Sequence, residues 1–212
     1  YSLSLENVSA QHIGVELNFT YLPTRWMELT GMLSIGDWTW VNNPKGYYYN
    51  EQGQPLKKLN GELASGVGAP DHAWGIINQK GHKVCGSAQT TGALGVLFRP
   101  FKGFRVGADW VFSARNFADY YLDAGNLNVN SEITLADPWR IPWGNELDLQ
   151  CSYKFKIAGL DATLYGNIYN LFNYNYVKDA QTPYDKNGTW SNATYVVYSF
   201  GRTFALRLKV NF

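Results

Sequence analysis

Thr203-Phe204-Ala205-Leu206-Arg207-Leu208-Lys209-Val210-Asn211-Phe212 reads as a single strand. Phe204, Leu206, Leu208, Val210 and Phe212 take one face, and Thr203, Ala205, Arg207, Lys209 and Asn211 the other. Successive β side chains point to opposite sides, so strict alternation makes a ribbon with one greasy face and one wet face. The pattern recurs upstream. Glu146, Asp148, Gln150, Ser152, Lys154 and Lys156 alternate with Leu147, Leu149, Cys151, Tyr153, Phe155 and Ile157. Phe104, Val106, Ala108, Trp110 and Phe112 stand opposite Arg105, Asp109, Ser113 and Arg115, and Ile13, Val15, Leu17, Phe19 and Tyr21 opposite Glu16, Asn18 and Thr20. Weaker alternation marks 26–40, 90–99 and 160–171. That gives seven predicted strands, with residues 1–6 reading as the end of an eighth.

Composition narrows the class. The chain has 212 residues, 45% apolar, 16% aromatic and 17% charged, with a net charge of +1 and no basic run, which argues against a nucleic-acid binder. Twenty-one glycines and fifteen tyrosines suit a turn-rich β protein and not a disordered chain. Apolar stretches such as Ala93–Phe98 fall far short of the roughly 18 residues of a membrane helix. A helical membrane protein is excluded; a membrane β-barrel is not. Tyr1 leads directly into Ser2-Leu3-Ser4-Leu5, with no basic region, apolar core or cleavage site. The expectation is that a signal peptide has been removed or that the chain begins partway through something longer.

Connection length separates a barrel from a soluble sandwich, since both have one apolar face. Pro23-Thr24-Arg25, Pro100-Phe101-Lys102-Gly103 and Ala158-Gly159 are tight, whereas 41–88, 116–141 and 172–201 are long, and the two kinds alternate strictly. Loops beyond about 12–15 residues are uncommon in compact soluble domains. Outer-membrane barrels combine short periplasmic turns with long extracellular loops. The aromatics fit two interfacial belts: Tyr21, Trp26, Phe98, Phe101, Phe104 and Phe155 beside tight turns, and Trp38, Trp40, Phe112, Phe117, Trp139 and Trp143 where strands meet long loops. An Arg or Lys at the bilayer midplane on the lipid face costs roughly 2–4 kcal/mol. The face with Arg207 and Lys209 is therefore the wet one, shared with Glu146, Asp148, Lys154, Arg105 and Asp109.

Small residues on that wet face (Gly107, Ser113, Ser152, Ala205) suit a wide lumen better than a narrow, filled barrel. At about 30 residues per strand, a 22-stranded barrel needs about 660 residues, of which this chain is roughly the last third. The motifs then point to a family. Gly201-Arg202-Thr203-Phe204 followed by alternation to Phe212 resembles the last strand of TonB-dependent outer-membrane receptors. Asn170-Leu171-Phe172-Asn173 is similar to the family's Asn-Leu-Phe-Asp/Asn motif. Gly14-Val15-Glu16-Leu17 with Tyr21-Leu22-Pro23-Thr24 resembles its Gly-x-Glu strand and periplasmic turn. Ala88-Gln89-Thr90-Thr91 through Gly107-Ala108-Asp109 has the same look.

The resemblance implies an all-β, antiparallel transmembrane β-barrel, of which residues 1–212 are the C-terminal part, about seven strands. It also implies a location in the outer membrane of a Gram-negative bacterium. Such a receptor takes up a large scarce solute, a ferric siderophore by default, with cobalamin, haem, glycan or peptide as alternatives. The family's N-terminal plug, which the TonB energy-coupling complex pulls on, is not among these residues, and no enzymatic activity or cofactor is implied. The lipid bilayer is a partner throughout, and a terminal aromatic such as Phe212 resembles the signal read by the barrel-assembly machinery.

No catalytic constellation emerges. His12, His72 and His82 are scattered, and Asp71-His72 near Ser65 or Ser87 lacks a nucleophile elbow. Gly66-x-Gly68 lacks the strand and helix of a phosphate fingerprint. Cys85 and Cys151 can pair in an oxidising compartment, but Cys151 reads as lipid-facing and two unpaired residues are favoured. The binding candidates are loop aromatics: Tyr47, Tyr48, Tyr49, Trp74, Tyr120, Tyr121, Trp139 and Trp190, with Tyr174, Tyr176 and Tyr184. Aromatic faces beside hydroxyls and amides suit sugars and flat chelates; packing of the loops on one another is the competing use. Two rivals stand beside the importer: a small complete outer-membrane barrel with an adhesive or lipid-modifying role, and a soluble β-sandwich carbohydrate-binding protein.

Overall fold

The computed structural model describes residues 2–56, 73–120, 131–135, 137–181 and 195–211, without the side chains of Ser131, Ile133 and Thr134. In chain order the strands are β1 (Ser2–Glu6), β2 (Ala10–Thr24), β3 (Met27–Trp40), β4 (Lys45–Tyr49), β5 (Trp74–Asn78), β6 (Thr90–Phe98), β7 (Phe104–Ala114) and β8 (Asn116–Phe117). They continue as β9 (Ser131–Thr134), β10 (Arg140–Ile141), β11 (Gly144–Ile157), β12 (Leu160–Tyr169), β13 (Val177–Gln181), β14 (Tyr195–Tyr198) and β15 (Thr203–Asn211). The described residues contain no helix.

Each of the seven alternating segments is a strand of one antiparallel sheet, in the order β15-β12-β11-β7-β6-β3-β2. The chain meanders, so sequence neighbours are spatial neighbours across the tight turns. The shortest members, β6 and β15, have 9 residues and the longest, β2, has 15. Tilted strands of about 9–11 residues suffice to cross a bilayer. Ala158 and Gly159 join β11 to β12 with φ of 49° and 81°. Two successive positive φ values make the type I′ hairpin, whose twist matches that of the strands it joins.

Register keeps one face apolar across all seven strands. One rung runs Leu17, Leu33 and Gly92 to Phe112, and another runs Val106, Cys151, Gly166 and Leu206. Phe112 lies over Gly92 and Phe19 over Gly31, so closely that a Cβ at either glycine would meet the ring at 2.2 or 2.1 Å. Aromatic rings shield glycine backbone in this way in curved sheets. Little covers the apolar face itself: Val15 is 74% exposed, Leu206 77% and Phe204 71%. Of the buried apolar side chains among the described residues, only Ala162 belongs to this sheet. β2 and β15 are its two edges and do not pair with each other, so the sheet is an open arc and not a closed barrel.

Two expectations are corrected. Residues 1–6 are not an eighth strand of this sheet: β1 pairs with β4, Glu6 opposite Lys45, continuing the β2–β3 ribbon, where Ala10 faces Trp40. A slip separates the two ladders, with Asn7 at φ 56° and Asn42 Oδ1 accepting from Ser9 N. The described parts of the long connections also form strands. β1, β4, β5 and β9 form a four-stranded sheet, with β5 and β9 parallel, while β8 pairs with β10 and β13 with β14. Their cores are Tyr48, Leu56, Ala73, Ile77 and Leu135 in one cluster and Ala118, Ile141 and Ala180 in the other. Each cluster draws on two connections and ties them together.

Candidate ligand-binding surface at the loop end

The alternation of β4 sorts its three tyrosines. Gly46 and Tyr48 point into the first cluster, where Leu3 and Leu5 press on Gly46 and Tyr48 is 1% exposed. Lys45, Tyr47 and Tyr49 take the opposite side and are not buried. Tyr47 lies across from Trp74 on β5. Lys45 Nζ stands 4.4 Å from the Trp74 ring centre and 5.2 Å from that of Tyr47. An ammonium held over two aromatic faces gains about 0.5–1 kcal/mol at an exposed site. It also sets a positive charge beside two flat, half-exposed surfaces. That combination is able to grip a planar or sugar-like ligand carrying a negative group.

Of the other described candidates, Tyr120 and Trp139 pack into the framework. Tyr120 packs against the first cluster, its hydroxyl donates to Lys83 O at 2.9 Å, and its ring meets His82 edge-on at 6.0 Å. Burial pushes its phenol pKa well above the ordinary range. Cys85 beside it is pushed up to about 12, again mainly by burial, which leaves an unreactive thiol. Cys85 and Cys151 are both free. Trp139 packs against Ala118, Ile141 and Ala180, and its carbonyl accepts from Ala118 N. Tyr174 and Tyr176 stack at 6.2 Å. Tyr121, Trp190, Tyr184, Ser65, Asp71, His72, the Gly66-x-Gly68 segment and Phe212 lie outside the described residues.

On the polar face of the large sheet, Glu146, Asn170, Tyr176 and Lys178 line a recess of about 210 Å³. That is below the roughly 300 Å³ of small ligand pockets. Beneath it, the Asn170-Leu171-Phe172-Asn173 segment ties the third long connection to β12 and β15. Asn170 Nδ2 donates to Tyr174 O and Phe200 O, its Oδ1 accepts from Tyr174 N, and its own N–H donates to Asp148. Asn173 Oδ1 accepts from Arg202 N. Gln89 acts similarly on β3: its side-chain amide pairs with both N–H and C=O of Trp38.

Sequence reasoning missed Lys45 and the division of the tyrosine triplet. Period two within Lys45–Tyr49 carried that signal. The described residues contain no cluster of three or more His, Cys, Asp or Glu able to hold a metal ion.

A scan against protein-family models finds no match. A search of curated proteins finds no relative. Among solved structures, the chain is similar to the siderophore receptor PiuA from Acinetobacter baumannii, with a TM-score of 0.50 and 16% identity over 95% of this chain and 22% of that one. It is also similar, at a TM-score of 0.42 and 16% identity, to BauA, the ferric preacinetobactin receptor of the same organism, over 96% of this chain and 27% of that one. The likeness to PiuA is one of fold: an all-β, antiparallel wall like that of a barrel receptor, spanning under a quarter of its length.

Proposed function

We propose that this chain is the C-terminal barrel wall of a TonB-dependent outer-membrane receptor that imports a large, scarce solute. The observation that carries the reading is the uncovered apolar face. Large apolar side chains left in water each forfeit roughly 1.5–3 kcal/mol of burial. An apolar surface spread over seven strands is far beyond the few hundred Å² typical of a soluble monomer. Lipid removes that cost. A soluble sandwich requires a second sheet on this face, and none lies there among the described residues. A small complete barrel requires β2 and β15 to meet, and they do not.

The long connections then stand outside the cell and the tight turns in the periplasm. A plug supplied by the rest of the parent protein fills the lumen and is moved by the energy-coupling complex. A ferric siderophore is the default cargo, in keeping with the solute named for PiuA. Lys45, Tyr47, Tyr49 and Trp74 are the proposed contacts: a chelate offers flat, electron-rich ligands and negative charge to such a surface.

The test is made on the full-length protein in its host. It is expected in the outer-membrane fraction, and deleting residues 41–88 is expected to abolish solute binding while the barrel still assembles. Recovery from the soluble fraction contradicts the membrane assignment; unaltered affinity after the deletion contradicts the binding assignment.

A further inference from the structure

The loop-end rim of the apolar face carries charge. Directly paired strand residues share a face, and Ile13 opposite Asp37 follows Val15 opposite Ile35. Asp37 therefore lies on the apolar side of the sheet, one rung beyond Ile35. Lys83, opposite Thr39, joins it there. Lys83 Nζ donates to Asp37 Oδ1, and Arg115 Nη2 donates to the same oxygen at 3.1 Å. Arg115 Nη1 donates to Gly36 O at 2.7 Å. All three side chains stay partly open: Asp37 is 58% exposed, Lys83 31% and Arg115 30%.

Arg115 is the residue out of pattern. Alternation along β7 assigns it to the polar face with Arg105, Asp109 and Ser113, yet its guanidinium lies on the apolar side with Asp37. A φ of 54° makes that reversal. The left-handed region is strained for a long side chain and persists where surrounding contacts over-determine it. Further along, Ile141 and Ala118 turn into the second cluster, which leaves exposed Arg140 and its partner Phe117 on the other side. Asp137 is engaged 3.2 Å from His82, which alternation turns to the other side from Lys83. Among the described residues of this rim, the cations Lys83, Arg115 and Arg140 thus stand with one carboxylate, Asp37.

Depth decides what they meet. β7 begins at Phe104 in the turn-end aromatic belt and has 11 residues. Arg115 therefore stands about 36 Å along the strand from Phe104. At the roughly 35–45° tilt of barrel strands this is about 25–30 Å along the membrane normal, against an apolar band about 25 Å tall. The cluster sits where hydrocarbon ends and headgroups begin. β3, β6 and β7 are interior strands of the sheet. Further strands of the parent extend the wall from its edges and its plug lies on the opposite face, so neither covers this rim.

We infer that Arg115 and Lys83, braced on Asp37, bind the phosphate of an anionic lipid headgroup in the loop-side leaflet. Arg115 offers a planar fork suited to phosphate oxygens, and Lys83 a point charge beside it. Arg140 adds charge along the rim. The site is continuous with the apolar face, so one lipid places its acyl chains on Ile35 and Val15 and its phosphate on the cations. The inference rests on the membrane reading of that face.

The experiment places a bimane fluorophore at Thr39→Cys, or at Leu206→Cys as a distant control, in a Cys85→Ser/Cys151→Ser background of the full-length protein in bilayers. Phosphatidylglycerol and phosphatidylcholine, each with a quenching nitroxide near the headgroup, are compared at equal mole fraction. At Thr39 the anionic lipid is expected to be enriched about fivefold, the worth of one net cation near a lipid surface. At Leu206 the two lipids quench alike. Lys83→Gln and Arg115→Gly are each expected to bring the Thr39 ratio close to one; glycine carries a φ of 54° without strain, so loss of preference there is not loss of the turn. Raised sodium chloride erodes the preference in the unsubstituted protein, and millimolar inorganic phosphate at matched ionic strength leaves it unchanged. Equal quenching by both lipids at Thr39, or an undiminished preference in both variants, overturns the inference. Displacement by inorganic phosphate also overturns it, since a free anion then occupies the site. If neither lipid quenches the Leu206 label, the membrane reading itself fails and not this site alone.

Discussion

Asn170 sits in the left-handed region at φ 52° and is 2% exposed, yet all of its side-chain hydrogen-bonding groups are used. Asn170→Ala leaves the N–H and C=O of Tyr174 and the C=O of Phe200 without their partner and puts a Cβ-bearing residue with no local compensation at positive φ. The expected loss is about 2–4 kcal/mol, read as faster amide exchange at Tyr174 than in the wild type. Ala158 carries the same backbone strain in the β11–β12 turn, at φ 49°. Ala158→Asn is expected to raise stability by about 0.5–1 kcal/mol in a denaturant titration, because Asn tolerates that conformation. Asp119, in the second long connection, has its carboxyl raised by burial and then by Asp179. A folded-state pKa above the unfolded one means that the native state binds the proton more tightly. Stability is therefore lower at neutral pH and rises as pH falls through the raised value, levelling off below the ordinary aspartate value. Proteolysis of the loop end is expected to slow on mild acidification, and Asp119→Asn to be resistant at neutral pH and to lose that dependence.

At the level of elements, the seven wall strands were legible because alternation is imposed by the environment on each side, and nothing else in the chain shows that period so cleanly. Phe204 to Val210 and Leu147 to Ile157 needed no tertiary knowledge to be placed. β4, β5, β8, β9, β10, β13 and β14 were not legible as strands: they are 2 to 5 residues long, and their pairing, within a connection for β8 with β10 and β13 with β14 or between two for β5 with β9, is set by tertiary contacts. Ser2–Glu6 alternates well enough to be a strand, but alternation says nothing about which strand it pairs with. Face assignment is testable one residue at a time. Leu164→Arg, on the apolar face between Tyr153 and Leu208, is expected to cost about 2–4 kcal/mol in urea unfolding from vesicles. Asn167→Arg, on the opposite face of the same strand, is expected to stay within about 0.5 kcal/mol.

For the whole molecule, the wall and its cap divide the work. Among the described residues, the seven-stranded sheet contributes one buried apolar side chain, Ala162, and the two clusters of the long connections contribute the others. The candidate surface was only partly legible, since aromatic content located the region while burial decided roles within it. Tyr48 and its neighbours Tyr47 and Tyr49 have the same chemistry in the sequence and opposite environments in the fold. The central claim is that acyl chains cover the face of Leu17, Leu206 and Leu208. Nitroxide labels at these positions and at Asn18, Ala205 and Asn167, in a Cys85→Ser/Cys151→Ser background of the full-length protein in bilayers, test it most directly. The account predicts relaxation by dissolved oxygen at the first three and by a water-soluble nickel chelate at the second three. A chelate that reaches both sets equally contradicts it.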